Sequence, residues 1–195
     1  MRQYSVAIRA LLIFTVVLGI GYTALITGIA QSTMRWQSNG SAINVDGSTV
    51  GSALIGQSFT DAKGNPLPEW FQSRPSAAGD GYDASASSGS NFGPNNADLI
   101  KAVEERKAAI AKLDGVPESS IPADAVTASA SGLDPHISPA YALLQVDRVA
   151  RVRNLPVAEV KKLVEDQIQS PDLGYLGQSR VNVLELNLAL ANLKG

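Results

Sequence analysis

The stretch ALLIFTVVLGIGYTALITGIA, residues 10–30, carries no charged side chain. An α-helix rises about 1.5 Å per residue, so about 20 apolar residues cross a hydrocarbon core of about 30 Å. The stretch meets that length and predicts a membrane span. A cleaved signal peptide competes with this reading, because Gly28-Ile29-Ala30 has the small-x-small pattern of a cleavage site. Apolar cores of cleaved signals run only about 7 to 15 residues, which favours an uncleaved anchor. Arg2 and Arg9 precede the apolar run, and Arg35 alone follows it closely. The positive-inside rule then predicts residues 1–9 as a short cytoplasmic N-terminus, residues 10–30 as the transmembrane helix and residues 31–195 as a single extracytoplasmic domain. Cleavage after Ala30 would instead release a chain starting at Gln31, a secreted hydrolase or ligand-binding protein that works without partners.

The part beyond the span has a normal size for one domain. A net charge of −2 and a pI near 5.4 give no basic face for a phosphate backbone, so nucleic acid is not an expected partner. Cysteine is absent, which removes disulfides, thiol nucleophiles and thiolate metal sites together.

SALIGQSF, residues 52–59, reads as a short strand with Val50 ahead of it. Residues 61–96 are rich in Gly, Pro and Ser and too long for a plain connection; their aromatics and Arg74 suggest an excursion held by side-chain hydrogen bonds. Asn96 should cap a helix that Gly115 and Pro117 end, with Leu99, Val103, Ile110 and Leu113 on its apolar face. Ser138 is a good N-cap with Pro139 at the first helical position. Leu143, Val146, Val149 and Ala150 then point to a core, while Arg148 and Arg151 share another face with Tyr141 and Leu144. A second helix should start at Pro156, with Val157, Val160, Val164 and Ile168 inward, making an αα-hairpin. RVNVLELNLALANL, residues 180–193, reads as a short strand at 181–183 running into a helix. These elements predict an α+β fold: a small sheet from the Val50 region and the C-terminal block, packed against three or four helices.

Catalytic chemistry finds little support. His136 is the only histidine, Asp134 its nearest carboxylate, and no G-x-S-x-G elbow exposes a serine for it. Glu104 and Glu105 are adjacent on a helix, so they point apart and cannot converge as an acid/base pair. The Gly89 and Gly93 run lacks the Lys-Ser/Thr ending of a phosphate-binding loop. His136, Asp134, Arg74 and Asn91 therefore read as loop-fixing or partner-contact residues, and no catalytic or metal-binding residue is expected.

GSALIGQSF at 51–59, FQSRPSA at 71–77, YDASASSGSNFGPNN at 82–96, TASASGLDPHISPAYALLQVDRVARVRNL at 127–155 and GQSRVNVLELNLAL at 177–190 follow the N-terminal span in order. With that spacing the chain resembles, over nearly its whole length, the C subunits of bacterial Kdp potassium-transporting ATPases. The resemblance implies an accessory, non-catalytic subunit of a high-affinity, ATP-driven potassium uptake complex, single-pass in the inner membrane and in contact with its lipid. The implied partners are a channel-like potassium-binding subunit, a P-type ATPase subunit and a small single-span subunit. It also implies a catalytic-chaperone role, in which the C subunit raises the ATP affinity of the ATPase subunit. ATP would then be a ligand shared with that subunit rather than a tightly bound cofactor, with Gly177 and Gln178 as the nucleotide-related candidates. An extracytoplasmic domain cannot touch cytoplasmic ATP, so the topology favours coupling through the span instead.

Overall fold

A computed structural model describes residues 2–193, which form two compact units divided between Ser52 and Ala53. In the first, one helical run, Arg2–Thr33, is long and apolar enough to cross a membrane. It comprises α1 (Arg2–Phe14), a π-helical stretch (Thr15–Tyr22) and α2 (Thr23–Thr33). The short α3 (Arg35–Ser38) follows, then strands β1 (Ala42–Val45) and β2 (Ser48–Ser52), paired antiparallel. Asp46 and Gly47 join them, both at positive φ (50° and 80°), the backbone of a two-residue hairpin turn whose twist suits the strands.

Among the described residues the Val50 region and the C-terminal block instead belong to two separate two-stranded sheets, β1-β2 and a later pair. Val50 lies in β2 and pairs within this local hairpin, because an Asp-Gly turn closes neighbouring strands at far lower entropic cost than a distant segment does. The strand expected over 52–59 ends at Ser52.

The second unit begins with a long loop and then α4 (Ala97–Asp114), α5 (Ala123–Val126), β3 (His136–Ile137), α6 (Pro139–Leu144), α7 (Val146–Arg153), α8 (Val157–Asp166), β4 (Val181–Asn182) and α9 (Val183–Ala191). The helix starts follow the sequence closely. Asn96 Oδ1 accepts from Asp98 N and Leu99 N, and Gly115 ends α4 in the left-handed conformation at φ 72°. Ser138 Oγ accepts from Tyr141 N with Pro139 at the first helical position. β4 pairs with β3, His136 opposite Asn182 and Ile137 opposite Val181, and the chain then enters α9 under an Asn182 cap.

This unit has more helical segments than the three or four expected. α5 is a single turn, and the first arm of the αα-hairpin breaks into α6 and α7 at Gln145. The buried Gln145 amide donates to Gln72 O (3.1 Å) and accepts from Gln72 N (2.7 Å). Asn187 does the same for Phe71, at 2.9 Å in each direction. Two side-chain amides thereby supply the ladder bonds that a neighbouring strand would give, and hold Phe71 fully buried.

Around Phe71 the core gathers Val126, Tyr141, Val149, Val160, Val164 and Leu186, with Val103 and Ile110 of α4 packed against it. Two expected faces are corrected here. Val157 points outward, 48% exposed, since the inward stripe of α8 begins one turn later at Val160. Arg148 and Tyr141 are buried while Arg151 is exposed, so the arginines do not share a face. Arg148 Nε donates to Asp114 Oδ1 at 2.7 Å, Nη2 to Gln145 Oε1 at 2.6 Å, and Nη1 to the carbonyls of Pro68 and Trp70. Burial pushes the Asp114 carboxyl above its ordinary value against the pull of Arg148.

Candidate functional site

Residue 134 begins an Asp-Pro-His turn that feeds β3. Asp134 Oδ1 accepts the amide of His136 at 3.0 Å and lies 3.4 Å from His136 Nδ1. Asp134 Oδ2 accepts from Arg74 Nη1 at 2.9 Å. Arg74 comes from the long loop, where its Nε and Nη2 also reach Thr127 O at 3.3 and 3.2 Å. Tyr82 Oη donates to Arg74 O at 2.8 Å, and burial pushes that phenol up to about 12. The loop residues are fastened further: Ser76 Oγ donates to Gly132 O (2.6 Å) and accepts from Tyr82 N (2.8 Å), and Ser88 N donates to Ser131 O (3.0 Å). Gly132, at φ 69°, has space only for hydrogen, since a Cβ would sit 2.7 Å from Ser88 O. The excursion expected over 61–96 is therefore a structure held by hydrogen bonds.

Arg74, Asp134 and His136 help line a cleft of about 540 Å³. Its polar lining comprises Arg74, Asp124, Asp134, His136, Ser138, Gln178, Ser179 and Arg180. Asp124 is fixed by Ser138, whose amide and hydroxyl donate to its two oxygens at 2.7 and 2.8 Å. Arg180 is bridged to Gln169, and Gly177 at φ 91° makes the turn that leads to Gln178.

Burial alone would raise the Asp134 carboxyl, but hydrogen bonds from the His136 side chain and amide and from Arg74 outweigh it and hold it at about 2. A carboxylate so held stays ionised at neutral pH and takes no proton there. Ser138 Oγ faces Asp124 and the start of α6, and is committed to both. Arg180, Gln178 and Ser179 add a guanidinium, an amide and a hydroxyl to the lining.

Of the residues singled out in the sequence, Arg74, Asp134, His136 and Gln178 meet in this cleft. Gly177, at φ 91°, and Asn91, an exposed loop residue at φ 54°, lie outside its lining. Asp124 and Arg180 were not foreseen: Asp124 shows only as an acidic first-turn residue of α5, and Arg180 as the residue ahead of a strand. No local pattern marks either as a partner of residues far along the chain.

Fold and cleft together define a class: an α+β domain with a polar cleft, joined in sequence to one helix of membrane-spanning length. The sequence pattern of the family described as KdpC, K+-transporting ATPase, c chain, matches residues 4–192. The chain belongs to the KdpC family. It is 54% identical over 184 residues to the potassium-transporting ATPase KdpC subunit of Beijerinckia indica, covering 94% of this chain and 90% of that one. The subunit of the same name from Mycobacterium bovis is 50% identical over 193 residues, 98% and 99% of the two chains. That of Caulobacter vibrioides is 54% identical over 179 residues, 91% and 87%.

Proposed function

We propose that this chain is the C subunit of an ATP-driven, high-affinity potassium uptake complex, a non-catalytic component that binds the other subunits and biases their conformation. The observation that carries this reading is identity of half or more, along nearly the full length, to chains named as subunits of a potassium-transporting ATPase. The relatives' names give no support to a released hydrolase.

In this reading Arg2–Thr33 anchors the subunit in the inner membrane, and the arginines at its start hold the N-terminus in the cytoplasm. The domain then stands on the extracytoplasmic side. Its partners are a channel-like potassium-binding subunit, a P-type ATPase subunit and a small single-span subunit. The cleft suits this work because its ion pairs are already satisfied within the chain, while Gln178, Ser179 and Arg180 offer hydrogen bonds to a polar protein surface.

The chaperone effect on ATP then acts through linkage. A subunit that binds the ATP-competent conformation more tightly than its alternative raises the apparent ATP affinity without touching nucleotide. Couplings of this kind change affinity by about 5- to 150-fold. Gly177 and Gln178 act as partner-facing residues here, and ATP is shared only in the thermodynamic sense. The test is potassium-stimulated ATP hydrolysis by the reconstituted complex with and without this subunit. We expect a several-fold higher KM for ATP, or loss of activity, in its absence; unchanged KM and potassium affinity would refute the reading.

A further inference from the structure

The long apolar helix is tied to the short helix and hairpin that follow it in the same compact unit. Gln31 Nε2 donates to Asn39 Oδ1 at 3.3 Å, and Asn39 Nδ2 returns a bond to Gln31 Oε1 at 3.2 Å. Trp36 Nε1 donates to Ala42 O at 3.0 Å, Ser41 N to Trp36 O at 3.1 Å, and Ser52 Oγ to Gly40 O at 2.7 Å. α3 and the β1-β2 hairpin are thereby bonded in series to the last turn of α2.

The hairpin has two unlike faces. Side chains alternate along a strand, so Ile43 and Val45 share one face of β1 and Asn44 takes the other. Ser48 lies opposite Val45, which puts Val50 on the apolar face as well. Thr49 joins Asn44 on the polar face, where its hydroxyl donates to Asn44 Oδ1 at 2.7 Å. Val45 is 40% exposed and Val50 36%; ahead of them Met34 is 53% exposed and Trp36 49%. A two-stranded hairpin is at best marginally stable in water and needs a further layer against its apolar face.

We propose that α3 and the apolar face of this hairpin lie in the headgroup layer of the bilayer that the helix spans, with Met34, Trp36, Val45 and Val50 as an interfacial collar. The inference rests on the reading of Arg2–Thr33 as a membrane anchor, and extends the membrane contact beyond the span.

Depth and charge select lipid as the occupant. Residues 10–30, at about 1.5 Å each, fill a hydrocarbon core of about 30 Å. The helix continues only through Gln31, Ser32 and Thr33, about 5 Å further, before Met34 leaves helical geometry at φ −137°. The polar layer of a bilayer is about 5–7 Å thick on each side, so α3 starts within it. An indole, apolar in body with one N–H, concentrates at that depth. Arg35 is the one charged residue between Arg9 and Asp46, and its guanidinium complements lipid phosphate beside the apolar groups. A partner subunit or a second copy would have to displace lipid from this layer, whereas the covalent link to the span puts lipid there already.

The chain has no cysteine, so Leu18→Cys, Val45→Cys, Thr49→Cys and Val50→Cys each give one labelling position. Each full-length variant, labelled with the fluorophore NBD, would be reconstituted into vesicles of phosphatidylcholine and phosphatidylglycerol. Doxyl lipids would carry the nitroxide quencher either near the headgroup or near the bilayer centre. We expect the Val45 and Val50 labels to be quenched at least about twofold more by the shallow nitroxide than by the deep one, and the Leu18 label to show the reverse. The Thr49 label should be reached by aqueous iodide. Lipid quenching at Leu18, with the Val45 and Val50 labels quenched by iodide instead, would refute the collar alone. Absence of lipid quenching at Leu18 would refute the anchor, and the collar with it. A benzophenone amino acid at position 50 of the chain in native membranes should crosslink to lipid; crosslinking chiefly to a partner subunit or to a second copy would overturn the proposal.

Discussion

Arg148→Met is the substitution with the largest consequence that the packing of this domain dictates. Methionine keeps much of the apolar stem but removes a guanidinium whose side chain is only 1% exposed. Four groups lose a donor at once, Asp114 Oδ1, Gln145 Oε1 and the carbonyls of Pro68 and Trp70, although Gln145 Oε1 keeps Gln72 N and Trp70 O keeps Gln72 Nε2. Asp114, itself 1% exposed at its side chain, is left charged without a counterion or must take a proton. Removing one member of a buried pair costs about 3–5 kcal/mol, and the stranded Pro68 carbonyl adds to that loss. Domain stability is typically about 5–15 kcal/mol, so the loss is a large fraction of it. Urea unfolding of the full-length chain in detergent, followed by tryptophan fluorescence and circular dichroism, measures it. Adding Asp114→Leu removes the orphaned charge and should return about 1–2 kcal/mol. A single variant within about 1 kcal/mol of wild type, or a double variant no better than the single, would refute the reasoning.

Asp134→Asn should alter the acid side of the stability profile. The folded carboxyl titrates near 2 against an ordinary 3.8, so its contribution is fully present above pH 4 and disappears as pH falls through 2. At 1.36 kcal/mol per pH unit, and allowing for its 29% exposure, that is about 1–2 kcal/mol; unfolding of the asparagine variant between pH 2 and 6 should lose the corresponding slope. Asn187→Leu leaves the amide and carbonyl of buried Phe71 unpaired and should cost about 2–4 kcal/mol in the same urea assay. Gly132→Ala places a Cβ 2.6 Å from that of Ala78 at φ 69°, so it should destabilise by about 2 kcal/mol or more. Gly177→Ala meets open space and only the left-handed strain, about 1 kcal/mol, and comparing the two melts separates packing from conformation.

Legibility in the sequence tracked the range of the interaction. Asn96, Gly115, Ser138 and Pro139 act within a turn of themselves, so their helix boundaries could be read directly. The short strand running into α9 was legible for the same reason. The Asp46-Gly47 turn between β1 and β2 carries an equally local Asp-Gly signal, which the strand expected over 52–59 passed over. The buried roles of Arg148, Gln145 and Asn187 were not legible, because each depends on a partner 34 to 116 residues away and a polar side chain on a helix looks solvated until that partner is known. The site divides likewise. Asp134 and His136 form a local turn, whereas their meeting with Arg74, Asp124 and Arg180 in one cleft is a product of the fold.

The most direct single measurement is affinity purification of the tagged full-length chain from its native membrane under potassium limitation, with the intact mass of the recovered chain. Recovery of an uncleaved chain together with a channel-like potassium-binding subunit and a P-type ATPase subunit is the expected result. Recovery of a soluble chain beginning at Gln31, without partners, would contradict the anchor and the proposed function together.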